Sequence, residues 1–365
     1  MVRTVSLEEY SRVRSKQKGT VKRYAVLALF LAPFLLAFIV FFLFPLVYGV
    51  YISLTNFKFS APDESVFHGL KWYKYLLGVA VPGDEKIQSL LMLSFWRSFL
   101  HSIIFSIIMV PIAVLLPLGL AILVNIKPPA FKLFRSMIYL PSIVPLTAAG
   151  TIFTLLFMNA DKSGVINTLF GTNILFLDGI WFDFEFLGTT HVVYYGWIPI
   201  FFMCLWGWWG GNFIILSAGL QNIPRNLYEA ASIDGCSSWR QTLKITIPGI
   251  KPQLVLCLFT TIIGYLGLYG QNFVLTNGGP LNTADQISSF PGGGYTSTVM
   301  YFIQDIVANN ISFKEQFYGL AAAASIIYAA IVGTISGIQM YITRDKKTGF
   351  KKAEAFDKWQ RAKLR

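Results

Sequence analysis

This sequence predicts an all-α polytopic membrane protein with six transmembrane helices, and three observations carry that prediction. Six apolar runs each exceed the roughly 20 residues that a helix needs to cross a bilayer core. The 365-residue chain is 55% hydrophobic and 13% charged, with a mean hydropathy of +0.57, whereas soluble domains carry about 25% charge. Its basic residues gather on alternate loops, as expected of a chain that weaves through a membrane. This composition argues against a soluble globular enzyme and against a disordered chain.

The runs lie at Tyr24–Leu54, Phe99–Asn125, Ser136–Met158, Val192–Leu220, Gln253–Thr276 and Tyr318–Thr343. None alternates as a barrel strand would, so each is read as a helix. Pro33, Pro45, Pro111, Pro117, Pro141, Pro145 and Pro199 fall inside them. Proline breaks soluble helices but is tolerated where neighbouring helices satisfy the freed backbone groups. The first run follows a basic stretch, yet its apolar core is about twice a signal-peptide core and no small-x-small site follows it. It is expected to stay as an anchor. Ahead of it, Ser6-x-x-Glu9 has the spacing of a capping box and could start a short surface helix. Three divisions result: a basic N-terminal segment 1–23, a six-helix domain 24–343 that includes a polar loop 221–252, and a basic tail 344–365.

With six crossings, residues 1–23, 126–135, 221–252 and 344–365 share one side. They hold 23 Lys and Arg against 7 Asp and Glu, while the other side, with Arg97 at its edge, holds 7 against 11. The positive-inside bias then places both termini in the cytoplasm. The net charge of +12 therefore reads as contact of the tail with anionic lipid, not as nucleic-acid binding. Arg97, His101 and His191 are expected at or near span ends, leaving the spans almost free of ionisable groups. Proton-driven carriers and voltage sensors need such groups at membrane depth. No GxxxxGK[ST] motif occurs, and Gly292-Gly293-Gly294-Tyr295 lacks the following lysine. A carrier of this build needs its energy from another polypeptide. Cys204, Cys236 and Cys257 form no CxxC, and the three histidines are dispersed, so neither a disulfide scaffold nor a metal centre is expected.

The polar loop Gln221–Pro252 reads QNIPRNLYEAASIDGCSSWRQTLKITIPGIKP. Pro224 suits a first helical turn, and Asn222 could cap it. Leu227, Ala230, Ala231 and Ile233 give that short helix a partly apolar face. Gly235 supplies the residue that tolerates a left-handed turn after a helix end. Ser237 or Ser238 could cap a second helix running to Ile247, with Pro248 interrupting it before the next span. The pattern is a helix–turn–helix held outside the membrane, either a structured loop or a knob that docks on a cytoplasmic partner.

Glu229-Ala230-Ala231-x-x-x-Gly235, nine residues, then Ile245-x-Ile247-Pro248 resembles the EAA loop of membrane subunits of ATP-driven importers. That pattern prefers Leu where Ile247 stands. Further blocks extend the resemblance over about Tyr24 to Ile342 and narrow it to sugar importers similar to the maltose-transporter membrane subunits. They include Ser53-Leu54-Thr55-Asn56-Phe57, Phe67-x-Gly69-Leu70-x-x-Tyr73, Phe95-Trp96-Arg97-Ser98 and Leu133-Phe134-Arg135 through Leu140-Pro141. Gly164-Val165-Ile166-Asn167, Ala218-Gly219-Leu220-Gln221-Asn222-Ile223-Pro224 and Leu275-Thr276-Asn277-Gly278-Gly279-Pro280 complete the series.

The resemblance implies a type I ABC importer permease fold in a bacterial or archaeal inner membrane. Its implied partners are a second, different permease subunit, two ATP-binding subunits and an external solute-binding protein. ATP and magnesium would be held by the ATPase, leaving this chain with no cofactor, no metal and no catalysis of its own. Glu229, Ala230, Ala231, Gly235, Ile245 and Pro248 would couple to the ATPase, Glu229 as a polar anchor and Gly235 as the shaping turn.

A sugar offers hydroxyls for hydrogen bonds and a C–H face that stacks on rings. Trp206-Gly207-Trp208-Trp209-Gly210-Gly211-Asn212 in the fourth run and Tyr265-x-x-x-Tyr269-x-Gln271-Asn272 in the fifth offer both. Tyr265 and Tyr269 are one turn apart, which on a continuous helix gives them one face. Register counted from Pro224 and Pro280 places Trp208, Trp209, Gly211, Tyr265 and Leu268 where the maltose-transporter subunit holds sugar, with different residue types. Asn212, Tyr269 and Gln271 complete the candidate pathway, against which the same aromatics could be interfacial belts or packing. Gly333-x-x-x-Gly337 permits close helix approach, inside the chain or to the second subunit. The external loop Asn159–Thr190, with Asp161, Asp178, Asp183 and Glu185 among aromatics, is either a solvated loop or a contact for the binding protein. Alternatives to a sugar importer are an importer for another solute, such as a polyol phosphate, a self-sufficient secondary carrier or channel, and a scaffold without transport.

Overall fold

The computed structural model describes residues 24, 26–58, 61–79, 85–159, 164–186, 189–279, 293–309 and 317–343. The segment 1–23 with its Ser6-x-x-Glu9 pattern, the tail 344–365, Asp161, Pro280 and Gly292 lie outside them, as do the side chains of Glu185 and His191.

Helix α1 (Val26–Ser53) passes Pro45 by widening into a π-turn at Ile39–Leu43. That turn accommodates a residue with no N–H to donate. A two-residue hairpin follows, β1 (Thr55–Asn56) with β2 (Val66–Phe67), and then α2 (Lys71–Leu77), closed by Gly78 at φ +75°. Helix α3 (Glu85–Asn125) has 41 residues. It begins 14 residues before the expected Phe99, because neither Gly nor Pro interrupts Glu85–Val110. Arg97 and His101 therefore stand within a helix, not at its end.

The third crossing is two pieces. Helix α4 (Phe131–Tyr139) and a 3-10 turn (Leu140–Ile143) meet α5 (Leu146–Phe157) at 96°. The bend sits where Val144 precedes Pro145, with φ −68° and ψ 127°; a residue before proline is pushed out of helical space. A short helix α6 (Val165–Phe170) is pinned by Asn167, whose amide donates to Ile174 O at 2.8 Å and accepts from Ile174 N at 3.0 Å. Strands β3 (Ile180–Phe186) and β4 (Thr189–Tyr194) pair antiparallel. Val192–Tyr194, expected at the start of the fourth span, thus belongs to a hairpin, and α7 (Trp197–Gln221) begins after it. The β-branched run Thr-Thr-His-Val-Val opposite an aromatic strand favours that outcome.

Helices α8 (Arg225–Ile233) and α9 (Ser238–Gly249) follow outside the bundle, and α9 meets α10 (Lys251–Leu266) at 71°. After α10 the chain unwinds over Gly267–Tyr269 and resumes as α11 (Gly270–Thr276). An unexpected amphipathic helix α12 (Val299–Asn309) precedes α13 (Tyr318–Thr343). Four described helices are long and apolar enough to span a bilayer, and the two bent pairs raise the number to six.

The break after α10 corrects one expectation: Tyr265 and Tyr269 share no helical face. It also frees carbonyls that lipid cannot satisfy. The Tyr328 hydroxyl donates to Leu266 O, and Thr298 Oγ1 donates to Leu268 O at 2.5 Å. Asn272 Nδ2 donates to Thr296 O. The buried segment 295–298, which supplies the Thr298 hydroxyl and the Thr296 carbonyl, rests on α3, where Ser98 Oγ donates to Ser297 Oγ at 3.1 Å and His101 Nδ1 lies 3.0 Å from Ser297 O.

Three apolar clusters fill the bundle. One joins α2, α3, α12 and α13 through Trp72, Phe95, Phe302 and Leu320. A second joins α3, α5, α7 and α10 through Met109, Phe153, Met203 and Tyr265. The third gathers the ends of α3 and α7 around Ile250 and Cys257, at the root of α8–α9. Cys204 and Cys257 are buried, free and part of this packing. Gly333 and Gly337 take no part in it: a Cβ added at either meets nothing within 4 Å. Among the described residues, therefore, nothing packs closely against them.

Candidate functional site

The loop between α7 and α10 is a knob tied together by its own polar groups. Its first helix ends in a left-handed turn, with Gly235 at φ +71° and Cys236 N bonded to Ala231 O at 2.9 Å. A Cβ at Gly235 would meet nothing within 4 Å, so backbone conformation alone asks for glycine there. Across the turn, Gln241 Nε2 donates to Cys236 O at 3.0 Å and to Ser232 Oγ at 3.1 Å. Further back, the Tyr228 and Thr246 hydroxyls lie 2.9 Å apart. These contacts clamp α8 onto α9.

Two details differ from expectation. Asn222 caps the C-terminus of α7, while Pro224 occupies the N-cap of α8. Pro248 does not interrupt α9, because a π-turn at Thr242–Thr246 precedes it and the helix continues to Gly249. Ser237 is the N-cap of α9, without a side-chain capping bond.

Outward, the knob inverts the usual distribution of polarity. Ile233 is 87% exposed and Trp239 72%. Around them Glu229, Ala230, Asp234 and Arg240 are exposed, while Ala231, Ile245 and Ile247 are half-buried. Glu229 makes no ion pair with any described residue. Large apolar side chains on an otherwise charged, solvated surface mark a protein contact.

The pathway candidates divide into three groups. Trp208 stacks on Tyr265, with ring centroids 4.7 Å apart and planes 14° apart. A Cβ on Gly264 would lie 2.0 Å from Trp208 Cζ3, so Gly264 forms the flat bed under that indole. Sequence reasoning missed this residue, although a glycine directly before an aromatic candidate was a signal. The Tyr265 hydroxyl and Trp209 Nε1 are buried without a hydrogen-bond partner among the described residues. Beside them Gly211 is exposed, with open space at its Cβ position.

Asn212 forms the second group. Its amide donates to Ala113 O at 2.8 Å and to Thr261 Oγ1 at 2.9 Å, tying α3, α7 and α10 together. The third group lies at the break. Leu268 is buried and its carbonyl accepts from Thr298, while Tyr269 stacks near Phe273 and Tyr301, and Gln271 is half-buried beyond it. Burial, then Asp305 and Tyr269, push the Tyr301 hydroxyl well above its ordinary pKa. It stays protonated and donates to Asn277 O at 2.5 Å.

On the far side of the bundle from the knob, β3 exposes Ile180, Trp181 and Phe182. Asp178 is engaged by Asn159 Nδ2 at 2.8 Å. Arg97 donates to Gly293 O at 3.1 Å and lies 4.9 Å over the Tyr295 ring.

Comparison with known proteins agrees with this architecture. The lactose transport system permease protein of Rhizobium radiobacter is 32% identical over 257 residues, covering 69% of this chain and 77% of that one. The arabinooligosaccharides transport system permease protein of Bacillus subtilis is 29% identical over 317 residues, covering 86% and 87%. A bacterial ABC transporter involved in the import of the acidic polysaccharide alginate shares the fold, with a TM-score of 0.67 over 91% of this chain and 100% of that chain at 16% identity. Residues 90–347 match the binding-protein-dependent transport system inner membrane component, and the chain belongs to that family of ABC transporter permeases.

Proposed function

We propose that this chain imports a sugar or oligosaccharide, paired with a second permease subunit and driven by a separate ATPase that grips α8 and α9. The observation that carries this reading is the knob: polar groups tie it internally while Ile233 and Trp239 face outward. Glu229, Ala230, Ala231 and Gly235 would seat the first knob helix in a groove of the ATPase, with Ile245 and Pro248 in the helix behind it. ATP and magnesium belong to that ATPase in this reading.

Permeases for lactose, arabinooligosaccharides and starch degradation products are among the relatives, which supports a carbohydrate cargo. So does the residue chemistry. Helices α7 and α10 contain one ionisable cation or anion, Lys251 at the very start of α10. A phosphorylated cargo would call for more. Trp208 on its Tyr265 and Gly264 bed, with Gly211 exposed nearby, offers a ring to a sugar, and Trp209 and Tyr265, whose donors are buried in this conformation, would complete that stretch of the route. Leu268, Tyr269 and Gln271 would line the same route beyond the break, and Asn212 would hold its helices in register. On the opposite side, the exposed aromatics of β3 would meet the loaded binding protein. Both termini and the knob would face the cytoplasm.

The test is the reconstituted assembly with its binding protein. Hydrolysis of ATP should rise only when the binding protein carries its sugar. Uptake that persists without the ATPase would sink the proposal. In an Ile233→Cys variant, a membrane-impermeant maleimide should react from the cytoplasmic side alone; reaction from the outside would reverse the topology.

A further inference from the structure

Helix α4 and the turn before it are not used by the function just proposed. On this helix Lys132, Arg135 and Ser136 form one stripe, and Leu133 and Met137, continued by Leu140 at the start of the 3-10 turn, form the adjacent one, at the i, i+3, i+4 spacings that share a face. Phe131 and Ile138 make the third face and pack into the cluster at the ends of α3 and α7. The other two stripes are open: Leu133 is 59% exposed, Met137 60% and Leu140 62%, and Lys132 and Arg135 are exposed beside them. Lys127, also exposed, lies in the Pro128-Pro129 turn that leads into α4, with positive φ at Lys127 and Ala130. No acidic residue occurs in the sequence between Glu85 and Asp161. Among the described residues, none of the three cations enters an ion pair.

We propose that this element binds an anionic phospholipid, with the headgroup phosphate between Lys127, Lys132 and Arg135 and the acyl chains along Leu133, Met137 and Leu140. Charge complementarity selects this occupant. A cationic stripe flanking an apolar one is the pattern of helices seated at a headgroup boundary, and clustered Lys and Arg there select anionic lipid. The third cluster shares Ile223, Ile250 and Leu254 with the root of the knob, so the leaflet is the one on the knob's side. That it is the cytoplasmic leaflet rests on the proposed orientation; the lipid contact does not.

The experiment uses the complete assembly in phosphatidylcholine vesicles containing a small fraction of photoactivatable phosphatidylglycerol or, separately, photoactivatable phosphatidylcholine. Adducts within 127–140 should favour the phosphatidylglycerol probe about tenfold or more. The triple variant Lys127→Gln/Lys132→Gln/Arg135→Gln should lose that preference while retaining the ATPase on purification. Single Lys132→Gln and Arg135→Gln variants, each lowering the preference about fivefold, serve if the triple variant does not assemble. Equal labelling by the two probes, an unchanged preference in the variants, or crosslinks from this segment to a second permease subunit in place of lipid would each overturn the proposal.

Discussion

Helix α1 and the α8–α9 knob both leave large apolar side chains uncovered, and the way they do so separates two kinds of environment. In α1 the exposure runs all round: Leu29 is 74% exposed, Phe30 81% and Phe41 80%, with neighbours on every face in the same state. Its length and uniform apolarity suit a lipid-spanning helix, which needs no polar framework on its surface. On the knob, Ile233 and Trp239 stand among Arg225, Glu229, Asp234 and Arg240 on a scaffold of side-chain hydrogen bonds. Water surrounds such a surface until a protein covers it. In the proposed reading the same residue types therefore mean solvent in one place and docking in the other, and the polar framework beneath them makes the distinction.

The comparison can be broken most sharply at Gly235. Gly235→Pro forces φ from +71° toward proline's fixed value and removes the N–H that donates to Ser232 O at 3.1 Å. The cost is about 3 kcal/mol in the knob, so co-purified ATPase and sugar-stimulated hydrolysis should both fall to background while membrane insertion is retained. Full ATPase recovery would show that the turn does not shape the docking surface. Next comes Trp239→Ala, expected to weaken ATPase association by about 2 kcal/mol, the loss typical of a central aromatic contact. Phe30→Ala in α1 should leave that association unchanged, and an equal loss in both would erase the distinction.

Smaller effects probe the bundle. Asn212→Leu removes two interhelical bonds and should lower detergent stability by about 1 kcal/mol, read as a shift in thermal unfolding with a normal substrate profile. Tyr265→Phe should be smaller still, because the hydroxyl lost is buried and has no partner among the described residues. Stability should hold or rise slightly, while Trp208→Ala in the same assembly changes the sugar concentration that half-stimulates hydrolysis. A large stability loss in Tyr265→Phe would mean that its hydroxyl has a partner.

Much of this was legible in the residues, for physical reasons that differ between elements. Apolar runs gave the six crossings because bilayer thickness sets their length, and Gly235 announced its own turn. The bend at Pro145 was not foreseen, because Ser136–Met158 reads as one run with its prolines tolerated, although proline does constrain the residue before it. The hairpin Ile180–Tyr194 was partly hidden because its second strand is apolar enough to merge with the next span. Contacts across long sequence distances carried no local signal. Nothing near Arg97 or Ser98 points to Gly293 or Ser297, 196 and 199 residues away. The stack of Trp208 on Tyr265 was foreseen only as two residue types in two spans.

The hydroxyl that Tyr328 offers to Leu266 O comes from 62 residues further along the chain. At ribosomal speeds of about 5–20 residues per second, the broken fifth crossing waits about 3–12 s for its last donor. During synthesis that crossing is an unfinished piece in the lipid, completed only when α13 arrives beside it. Nascent chains stalled before residue 328 should therefore be the preferred prey of membrane proteases.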